Sequence, residues 1–403
     1  MLDVRSRAEQ AREKKAALGA DIDLSKYSFA EVSHPYLQDL RQMPPEDREQ
    51  MLNAGVDANE VDRSGTFIQK DSAVLYSKSR QEGLEIYPVK EALEKLPWVE
   101  DYYGKLVAPE TDKYTAAAEL SLQNGYLIRA LPEASVSMPV QSCLYLDRDG
   151  MAQTVHNIVI CEEGSELHVI TGCATSPHLR NGLHLGITEF YIKKNAKLSF
   201  TMIHNWAKNM AVRPRSVGVV EEGGLFLNNY ICMKPVKSLQ MYPTTYLRGP
   251  GATARFYSIL LGHPGSELDV GGRIILEADK TRAEIISRAI TNGGTIVARG
   301  DLVGEKAGIK AHLECKGLIL KGGVIHAIPE LKGKAEGVEM SHEAAVGKIA
   351  AEEIQYLQSR GLSEEEATST IVRGFMSVDI PGLPKKLKAK IDQAVAQSEK
   401  EMM

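Results

Sequence analysis

Five cysteines are the most reactive side chains in this 403-residue chain, and no two of them form a C-x-x-C pair. Thiolates bind iron and accept sulfur, but zinc ribbons, thioredoxin sites and ferredoxin motifs need closely paired cysteines. Any metal site must therefore combine cysteines that are distant in the sequence. For a cysteine taken at random, a small buried hydrophobe remains the more common role. The five are Cys143, Cys161, Cys173, Cys232 and Cys315.

Imidazole and indole groups occur in two segments that otherwise predict strands. Cys173 ends one strand in TGCATSPHLRNGLH, and the string HNW places His204 and Trp206 at the end of another. Alternation along KLSFTMIHNW puts both of these residues on the same face as Leu198 and Phe200. Because the imidazole of His204 and the indole of Trp206 lie on an otherwise apolar strand face, both are candidates for chemistry inside the protein.

A third candidate group follows Cys315, which lies in the late strand AHLECKGLIL. His342 and Glu343 are adjacent in EMSHEAAVGKI, where the pattern predicts a change from strand to helix. Thiolate, imidazole and carboxylate are all competent ligands for iron. The residues alone leave a second interpretation open, in which His342 and Glu343 begin a helix and the helix dipole favours the carboxylate.

Short strands separated by turn clusters position these groups. From about residue 115 to 335 the turn clusters recur about every 27 to 31 residues and then about every 14, without long helices between them. This regular spacing predicts a mainly β fold with a central right-handed β-helix-like solenoid, flanked by N-terminal and C-terminal helical domains. We expect an N-terminal helical or mixed region at 1–112, the β-helix core at 113–337 and the C-terminal helical domain at 338–403.

The C-terminal helices carry clear start and stop signals. Gly361 is a candidate left-handed cap, and Ser363 with Glu366 forms the S-x-x-E capping box of the following helix. Ile371, Val372, Phe375 and Met376 give that helix an apolar stripe, and KKLKAKIDQAVAQSEKE predicts a last, lysine-rich helix. Such helices can cap the solenoid or dock a partner.

Composition and motifs exclude several function classes. The net charge of −5 and the sequence pI near 6.1 argue against a dedicated nucleic-acid binder. No apolar run approaches a membrane helix, and the charged N-terminus predicts no signal peptide, so we expect a cytoplasmic protein without membrane partners. No phosphate loop and no nucleophile elbow occur. The chain is not expected to be an enzyme or to hydrolyse ATP alone.

Several long strings, in order from about residue 115 to 380, resemble the SufB/SufD family of iron–sulfur cluster assembly scaffolds. The C-terminal string is the most specific, because its helix, QSRG break, SEEEA restart and GF ending follow the family. The strings are TGCATSP, FYIKKNAKLSF, HNW, MYPTTYLRGPGATARFYSILL, AEIISRAI, SHEAAVGKI and EEIQYLQSRGLSEEEATSTIVRGF.

The resemblance implies a central β-helix, dimerisation through it, and docking of a SufC-type ABC ATPase on the C-terminal helices. We expect the docking surface to include Leu362, Ile371, Val372 and Phe375. An ATPase partner would explain how a chain without a phosphate loop takes part in ATP-driven work.

The resemblance also implies residue roles. Cys315 matches the family cysteine associated with the nascent cluster, and Glu343 matches a further ligand candidate. Cys173 matches a cysteine linked to accepting sulfur, and Trp206 matches an aromatic residue that lines the sulfur path. Position 204 commonly carries an amide in SufB chains, so His204 is expected to tune or block that path.

The H-E-A string and the retained cysteines make the chain resemble SufB and indicate a homodimer, with a SufD-like heterodimer as the other arrangement. SufD-like chains keep the histidine of the H-E-A string and lack the glutamate, whereas this chain has both His342 and Glu343. Two copies of Cys315, His342 and Glu343 can then converge across a twofold axis. Cys232 is either an extra ligand or a core residue, and Cys143 and Cys161 are expected to be structural.

The expected function is therefore a scaffold that builds a transient iron–sulfur cluster, of the 4Fe-4S or the 2Fe-2S type. Persulfide sulfur from a donor would arrive at Cys173 or Cys232, iron would meet it near Cys315, and apoproteins would accept the cluster. Two alternatives remain: a SufD-like structural partner through which iron enters, without its own cluster, and a carbohydrate-active β-helix enzyme.

Overall fold

The computed structural model describes residues 4–376. The last predicted helix, in KKLKAKIDQAVAQSEKE, lies outside these residues. Six α-helices are described: α1 (Val4–Gln10), α2 (Pro45–Asn53), α3 (Val89–Lys95), α4 (Lys113–Leu120), α5 (Ala351–Ser359) and α6 (Glu364–Met376). Three short 3-10 helices span Leu24–Lys26, Leu40–Gln42 and Pro97–Asp101. None of the helices in this part of the chain is both long and apolar enough to cross a membrane.

Strands are the main secondary structure of the described chain. In chain order they are β1 (Gly65–Lys70), β2 (Ala73–Ser79), β3 (Leu84–Pro88), β4 (Tyr126–Ala130), β5 (Val140–Leu146), β6 (Ala152–Cys161), β7 (Glu166–Thr175), β8 (Gly182–Ile192), β9 (Lys197–Asn205), β10 (Met210–Val212), β11 (Arg215–Val220), β12 (Leu225–Cys232), β13 (Ser238–Met241), β14 (Thr244–Leu247), β15 (Thr253–Gly262), β16 (Glu267–Leu276), β17 (Arg282–Thr291), β18 (Thr295–Gly304), β19 (Lys310–Ile319), β20 (Val324–Gly333) and β21 (Glu339–Gly347).

The strands form two sheets that wind into a β-solenoid of about 8 turns. The front sheet has the order β2-β1-β5-β7-β9-β12-β15-β17-β19-β21, and the back sheet holds the other eleven strands. Along most of the solenoid the chain alternates between the sheets, and strands of one sheet pair in parallel with the next strand but one. One full turn, here called a rung, takes about 28 residues. The fold class predicted from the turn spacing is confirmed.

Residues with a left-handed backbone conformation, that is, with a positive φ angle, form the corners between the sheets. Gly164, Asn195 and Gly223 have φ angles of 70°, 56° and 64° at three successive corners. Each donates its backbone N–H to a carbonyl of the next corner, at 2.8 to 3.0 Å. Glycine and asparagine tolerate this conformation best, so the turn clusters of the sequence fix where each rung begins.

The interior between the sheets is apolar over most of its length. Phe190, Phe200, Phe226 and Phe256 form an aromatic stack, with successive ring centroids 4.8 to 6.0 Å apart. All four rings are buried. Aromatic pairs of this kind contribute to stability beyond the area that they bury.

Helices and the N-terminal segment cover the outer faces. Helix α2 packs on the front sheet around Cys143, in a cluster with Met51 and Tyr145. Helix α6 packs farther along the same face, where Val372 and Met376 lie against a row of isoleucines. Strands β1, β2 and β3, which come before the boundary predicted at residue 113, join the two sheets of the solenoid.

The expectation of a helical pattern from residue 338 is wrong at its start. Residues Glu339–Gly347 form β21, which pairs with β19 along its whole length, and helix α5 begins only at Ala351. The helix propensity of the alanines in the H-E-A-A string is overridden, because the segment pairs with strand β19 of the preceding rung. His342 and Glu343 therefore lie in a strand, and the interpretation that they begin a helix is also wrong.

The solenoid ends at β20 and β21. Within residues 4–376, β21 has no strand on its other edge, and β20 pairs only with β18. Val324, Leu331 and Val346 are exposed here. This end, formed by β20 and β21, is called the open end below.

Candidate functional site

Three of the predicted residues form a column inside the solenoid. Cys173 pairs with His204 across β7 and β9, and His204 pairs with Cys232 across β9 and β12. Residues at the same register in parallel strands point to the same side, about 4.8 Å apart. All three side chains are buried. Cys173 and Cys232 both belong to the interior core, so they face the lumen.

Tyr230 links the imidazole to one of the thiols. Its hydroxyl lies 2.7 Å from His204 Nδ1 and also hydrogen bonds with the Cys232 sulfur. We assign the protonated nitrogen to Nδ1, so that Nδ1–H donates to the tyrosine oxygen and the hydroxyl donates to sulfur. His204 Nε2 is then an acceptor, and it has no hydrogen-bond partner among the described residues. Cys173, His204, Tyr230 and Cys232 are called the thiol–imidazole cluster.

Burial controls the protonation of this cluster. Desolvation raises the pKa of Cys173 above its ordinary range and raises the pKa of Cys232 to about 12, although the Tyr230 hydrogen bond opposes the second shift. Desolvation also lowers the pKa of His204 well below its usual value. At neutral pH both thiols are protonated and the imidazole is neutral. A thiolate forms here only when a base or a metal ion takes the proton.

Trp206 stands between two histidine rings. Its ring centroid lies 5.0 Å from that of His184 and 5.5 Å from that of His204. Gln153 Nε2 donates to two backbone carbonyls, so its Oε1 accepts from His184 Nδ1 at 3.0 Å. Desolvation lowers the pKa of His184 to about 3. The tryptophan therefore borders the thiol–imidazole cluster, inside the core as predicted.

A row of hydroxyl groups leads from this cluster toward the open end. Tyr230 pairs with Ser258, Ser258 with Ser287, and Ser287 with Cys315, on four neighbouring front-sheet strands. These four residues are called the polar row. It spans about 14 Å, from three steps of about 4.8 Å. A cavity of about 30 Å³ is lined by Tyr230, Ser258 and Ser287, enough for one or two water molecules.

Cys315 ends the polar row in the rung before the open end. Its side chain is buried, and desolvation together with Glu314 raises its pKa to about 11, while Arg288 opposes the shift. On the last strand, Ala344 pairs with Cys315 and carries no side chain beyond its methyl group. The thiol is therefore separated from the end of the solenoid by one small residue.

The register of the last two strands divides the predicted ligands between two faces. His342 pairs with Leu313, which points into the core like Cys315, so His342 lies on the inner face. Glu343 pairs with Glu314 on the outer face, where Lys316 Nζ lies 3.0 Å from its carboxylate. Within one chain, Cys315 and His342 share a face, and Glu343 does not share it.

The predicted partner-binding residues differ in how far they are buried. Val372 is buried against the outer face of the front sheet, and Phe375 packs at the edge of the same cluster. Leu362 and Ile371 are partly exposed. In this conformation Leu362, Ile371 and Phe375 all present some surface to a partner, and the docking role of all four residues stays a prediction.

Sequence reasoning missed Tyr230, Ser258, Ser287 and Gln153. The serines and Cys315 occur one rung, about 28 residues, apart in the sequence. The turn clusters had already given this interval. Polar residues that recur about every 28 positions, at strand positions that face the interior, were therefore a usable signal for the polar row. Gln153 lies in the back sheet opposite the cluster, and no spacing in the sequence points to it.

The fold and the site together define a β-solenoid protein whose interior carries thiol, imidazole and hydroxyl groups from its middle to its open end. The sequence profile described as SUF system FeS cluster assembly, SufBD core domain, matches residues 144–375. That range contains the thiol–imidazole cluster, the polar row, His342 and Glu343.

Relatives extend the similarity beyond this core. The chain is 47% identical over 407 residues to an iron–sulfur cluster assembly SufBD family protein of Methanothermobacter thermautotrophicus, covering 99% of each chain. It is 49% identical over 358 residues to a SufBD family protein of Archaeoglobus fulgidus, covering 89% of this chain and 96% of the relative. The iron–sulfur cluster assembly protein SufB of Bacillus subtilis is 27% identical over 395 residues, covering 93% of this chain and 83% of the relative.

The chain therefore belongs to the SufBD family of iron–sulfur cluster assembly proteins. The family assignment confirms the resemblance in the sequence and gives the chain a role in iron–sulfur cluster assembly.

Proposed function

We propose that this protein is a cytoplasmic scaffold on which a transient iron–sulfur cluster is assembled and from which apoproteins receive it. One observation carries the proposal. An interior that is apolar over most of its length contains the thiol–imidazole cluster and a polar row that leads from it to Cys315, beside the open end. Polar groups in a packed core cost stability unless they are hydrogen-bonded, so a row of them favours a functional role over a purely structural one.

Sulfur would enter the chain as a persulfide on Cys173 or Cys232. A thiolate at either residue attacks the outer sulfur of a donor persulfide, forms a new S–S bond, and releases the donor thiolate. The proton of the attacking thiol passes to the donor thiolate that leaves, because desolvation lowers the pKa of His204 well below its usual value and makes the imidazole a poor base. Each sulfur needs two electrons to become cluster sulfide, so an external electron donor takes part.

Iron and sulfide would meet at Cys315. His342 lies on the same face and is exposed at the last strand. The cargo cluster, of the 4Fe-4S or the 2Fe-2S type, would thus have few thiolate ligands, which favours its release. His342 would complete the ligand set from the same face, and Glu343 would have to turn from the outer face.

A second copy of the chain would complete the ligand set. The open end exposes strand edges with Val324, Leu331 and Val346, and such edges are ready to pair with another chain. A homodimer formed here, or a heterodimer with a SufD-like chain, brings two copies of Cys315, His342 and Glu343 toward one axis.

ATP-driven work would come from a SufC-like ABC ATPase that docks on the C-terminal helices. Helix α6 packs on the outer face of the same front-sheet strands that carry the polar row inside. A movement of α6 would therefore act directly on the wall of the site.

The alternative of a SufD-like structural partner through which iron enters has one observation in its favour. Glu343 is paired with Lys316 and turned away from Cys315, so a single chain does not present the full ligand set. The family assignment leaves the other alternative, a carbohydrate-active enzyme, without support.

Anaerobic reconstitution with and without the ATPase partner tests the proposal. We expect the parent chain to bind iron and acid-labile sulfide, with absorption and Mössbauer spectra of a cluster. Cys315→Ala and Glu343→Ala should lose most of both, while Cys143→Ala, on the outer face, should keep them. Equal iron and sulfide in the parent and in Cys315→Ala would support the structural-partner alternative.

A further inference from the structure

Within one chain Glu343 faces away from Cys315 and belongs to a second group of side chains on the outer face. His312, Glu314 and Glu343 each offer one ligand atom, and these three atoms lie within 4.8 Å of one another. No other group of three or more His, Cys, Asp or Glu in residues 4–376 meets the same condition. The group lies on the outer face of the front sheet, because its residues alternate with the inward-facing Leu313 and Cys315.

The histidine is held in an orientation suited to a metal ligand. His312 Nδ1 lies 2.8 Å from Ser341 Oγ on the neighbouring strand. Metal-binding histidines commonly use one ring nitrogen for such a hydrogen bond and the other for the metal. The contact with Ser341 therefore leaves Nε2 for a ligand.

A lysine ammonium already bridges the two carboxylates. Lys316 Nζ lies 3.0 Å from Glu343 and 3.4 Å from Glu314. Glu314 is nearly buried and also pairs with Arg288, whereas Lys316 is partly exposed. The ammonium of Lys316 thus lies between the carboxylates of Glu314 and Glu343, in the group that His312 completes. Because the lysine side chain is flexible, this ammonium can move away. Lys70 of β1 also bridges two carboxylates, those of Asp47 and Asp147, but no histidine joins them in a comparable group of three ligand atoms within residues 4–376. Lys310 pairs with the carboxylate of Glu339.

We propose that His312, Glu314 and Glu343 form a labile binding site for a divalent metal ion, Fe²⁺ in the cell, in which the ion displaces the ammonium of Lys316. One imidazole and two carboxylates suit Fe²⁺ and contain no thiolate. The site lies across strand β19 from Cys315, since Glu314 and Cys315 are neighbours in the chain that point to opposite faces. The inference rests on the proposed function, for which it supplies the position where iron is first held.

Anaerobic titration of the whole chain with Co²⁺, and then with Fe²⁺, tests the site. We expect d–d absorption without a thiolate charge-transfer band, because no sulfur ligand takes part. His312→Gln and Glu314→Gln should each weaken binding at least about tenfold, with circular dichroism confirming that the variants fold. Lys316→Met should strengthen binding, because it removes the competing ammonium, and the matched control Lys310→Met should not.

Two results would overturn the site. One is a thiolate charge-transfer band that disappears in Cys315→Ser, which would place the ion at the thiol. The other is unchanged Co²⁺ affinity in His312→Gln or in Lys316→Met, which would make the group an ordinary ion-pair network.

The variants also separate this inference from the proposed function. With iron in excess, His312→Gln should still assemble a cluster, while Cys315→Ser should assemble none and yet bind Co²⁺ as the parent does. A parent chain that binds Co²⁺ in this way but never forms a cluster would retain the metal site and reject the scaffold proposal.

Discussion

The middle of the solenoid and its open end are built from the same kind of rung, yet they present very different surroundings to their side chains. Around β7, β9 and β12, each inward-facing residue is covered by a rung on both sides, and desolvation keeps His184 and His204 neutral. On β21 the same inward phase exposes His342. Position along the solenoid, more than residue type, decides whether a histidine is a buried base or an accessible ligand.

This difference suits a division of labour. Persulfide sulfur needs protection from water and oxidants, which the covered rungs provide. Iron and acceptor proteins need access, which the open end provides. Variants that disturb one region and spare the other therefore test whether the covered rungs and the open end differ in this way.

The largest expected effect is on stability in the covered rungs. Phe226→Ala removes a ring from the interior aromatic stack and should lower the free energy of unfolding by about 3–5 kcal/mol. Val346→Ala at the open end should change it by less than about 0.5 kcal/mol, because Val346 is exposed. Urea unfolding followed by circular dichroism measures both, and similar losses in the two variants would remove the distinction between the regions.

The next largest expected effect is a loss of folding stability as the pH falls. The pKa of His184 is about 3 in the folded chain and about 6.5 when unfolded. Its contribution to stability is thus present above pH 6.5 and is lost as the pH falls from 6.5 toward 3. Between pH 6.5 and 4.5 this amounts to about 2–3 kcal/mol.

The variant His184→Gln should therefore lose about that much less stability over the same interval. Urea midpoints at several pH values give the comparison, and the exposed His178 supplies the matched control His178→Gln. If both variants follow the parent's pH dependence, His184 is not held neutral by burial.

A smaller effect is expected where the N-terminal segment meets the back sheet. The buried Glu189 carboxylate accepts hydrogen bonds from the backbone N–H groups of Gly104, Leu106 and Val107. Glu189→Gln places an amide donor among these donors and should cost about 2 kcal/mol. Glu222→Gln, which removes an exposed ion pair with Lys194, should cost less than about 0.5 kcal/mol. Equal midpoints in chemical denaturation would contradict this.

The smallest effect concerns helix α6 on the outer face. Ser363 and Glu366 form the predicted capping box, with reciprocal hydrogen bonds of 3.1 and 2.8 Å. Ser363→Ala should lower the local opening free energy of α6 by about 1 kcal/mol. Hydrogen exchange in α6 reports this directly. Thr370→Ala, which improves helix propensity, should cause no such loss, and faster exchange in both variants alike would exclude a capping effect.

The sequence was sufficient for the fold class, because turn residues at a repeating interval of about 28 positions must stack if the strands are to pair. It was also sufficient for the interior placement of His204 and Trp206, since alternation with Leu198 and Phe200 sets the phase of their strand. These inferences depend only on local pattern.

The face of Glu343 could not be predicted in the same way. It depends on the register between β19 and β21, which the intervening rung sets, and one residue of slippage exchanges the two faces. The strand at 339–347 was missed because its alanines favour a helix in isolation. The packing of Val372 against the sheet depends on tertiary contacts that no local pattern contains.

The most direct test of the account is the position of sulfur after the chain reacts with a persulfide donor. The chain is treated anaerobically without iron, alkylated, digested and analysed by mass spectrometry. We predict added sulfur on Cys173 or Cys232 and on Cys315, and its loss when Fe²⁺ and a reductant are added. Cys143 and Cys161, which are buried but lie outside the thiol–imidazole cluster and the polar row, should remain unmodified. Sulfur distributed equally over all five cysteines, or found on none of the predicted three, would contradict an interior route to the open end.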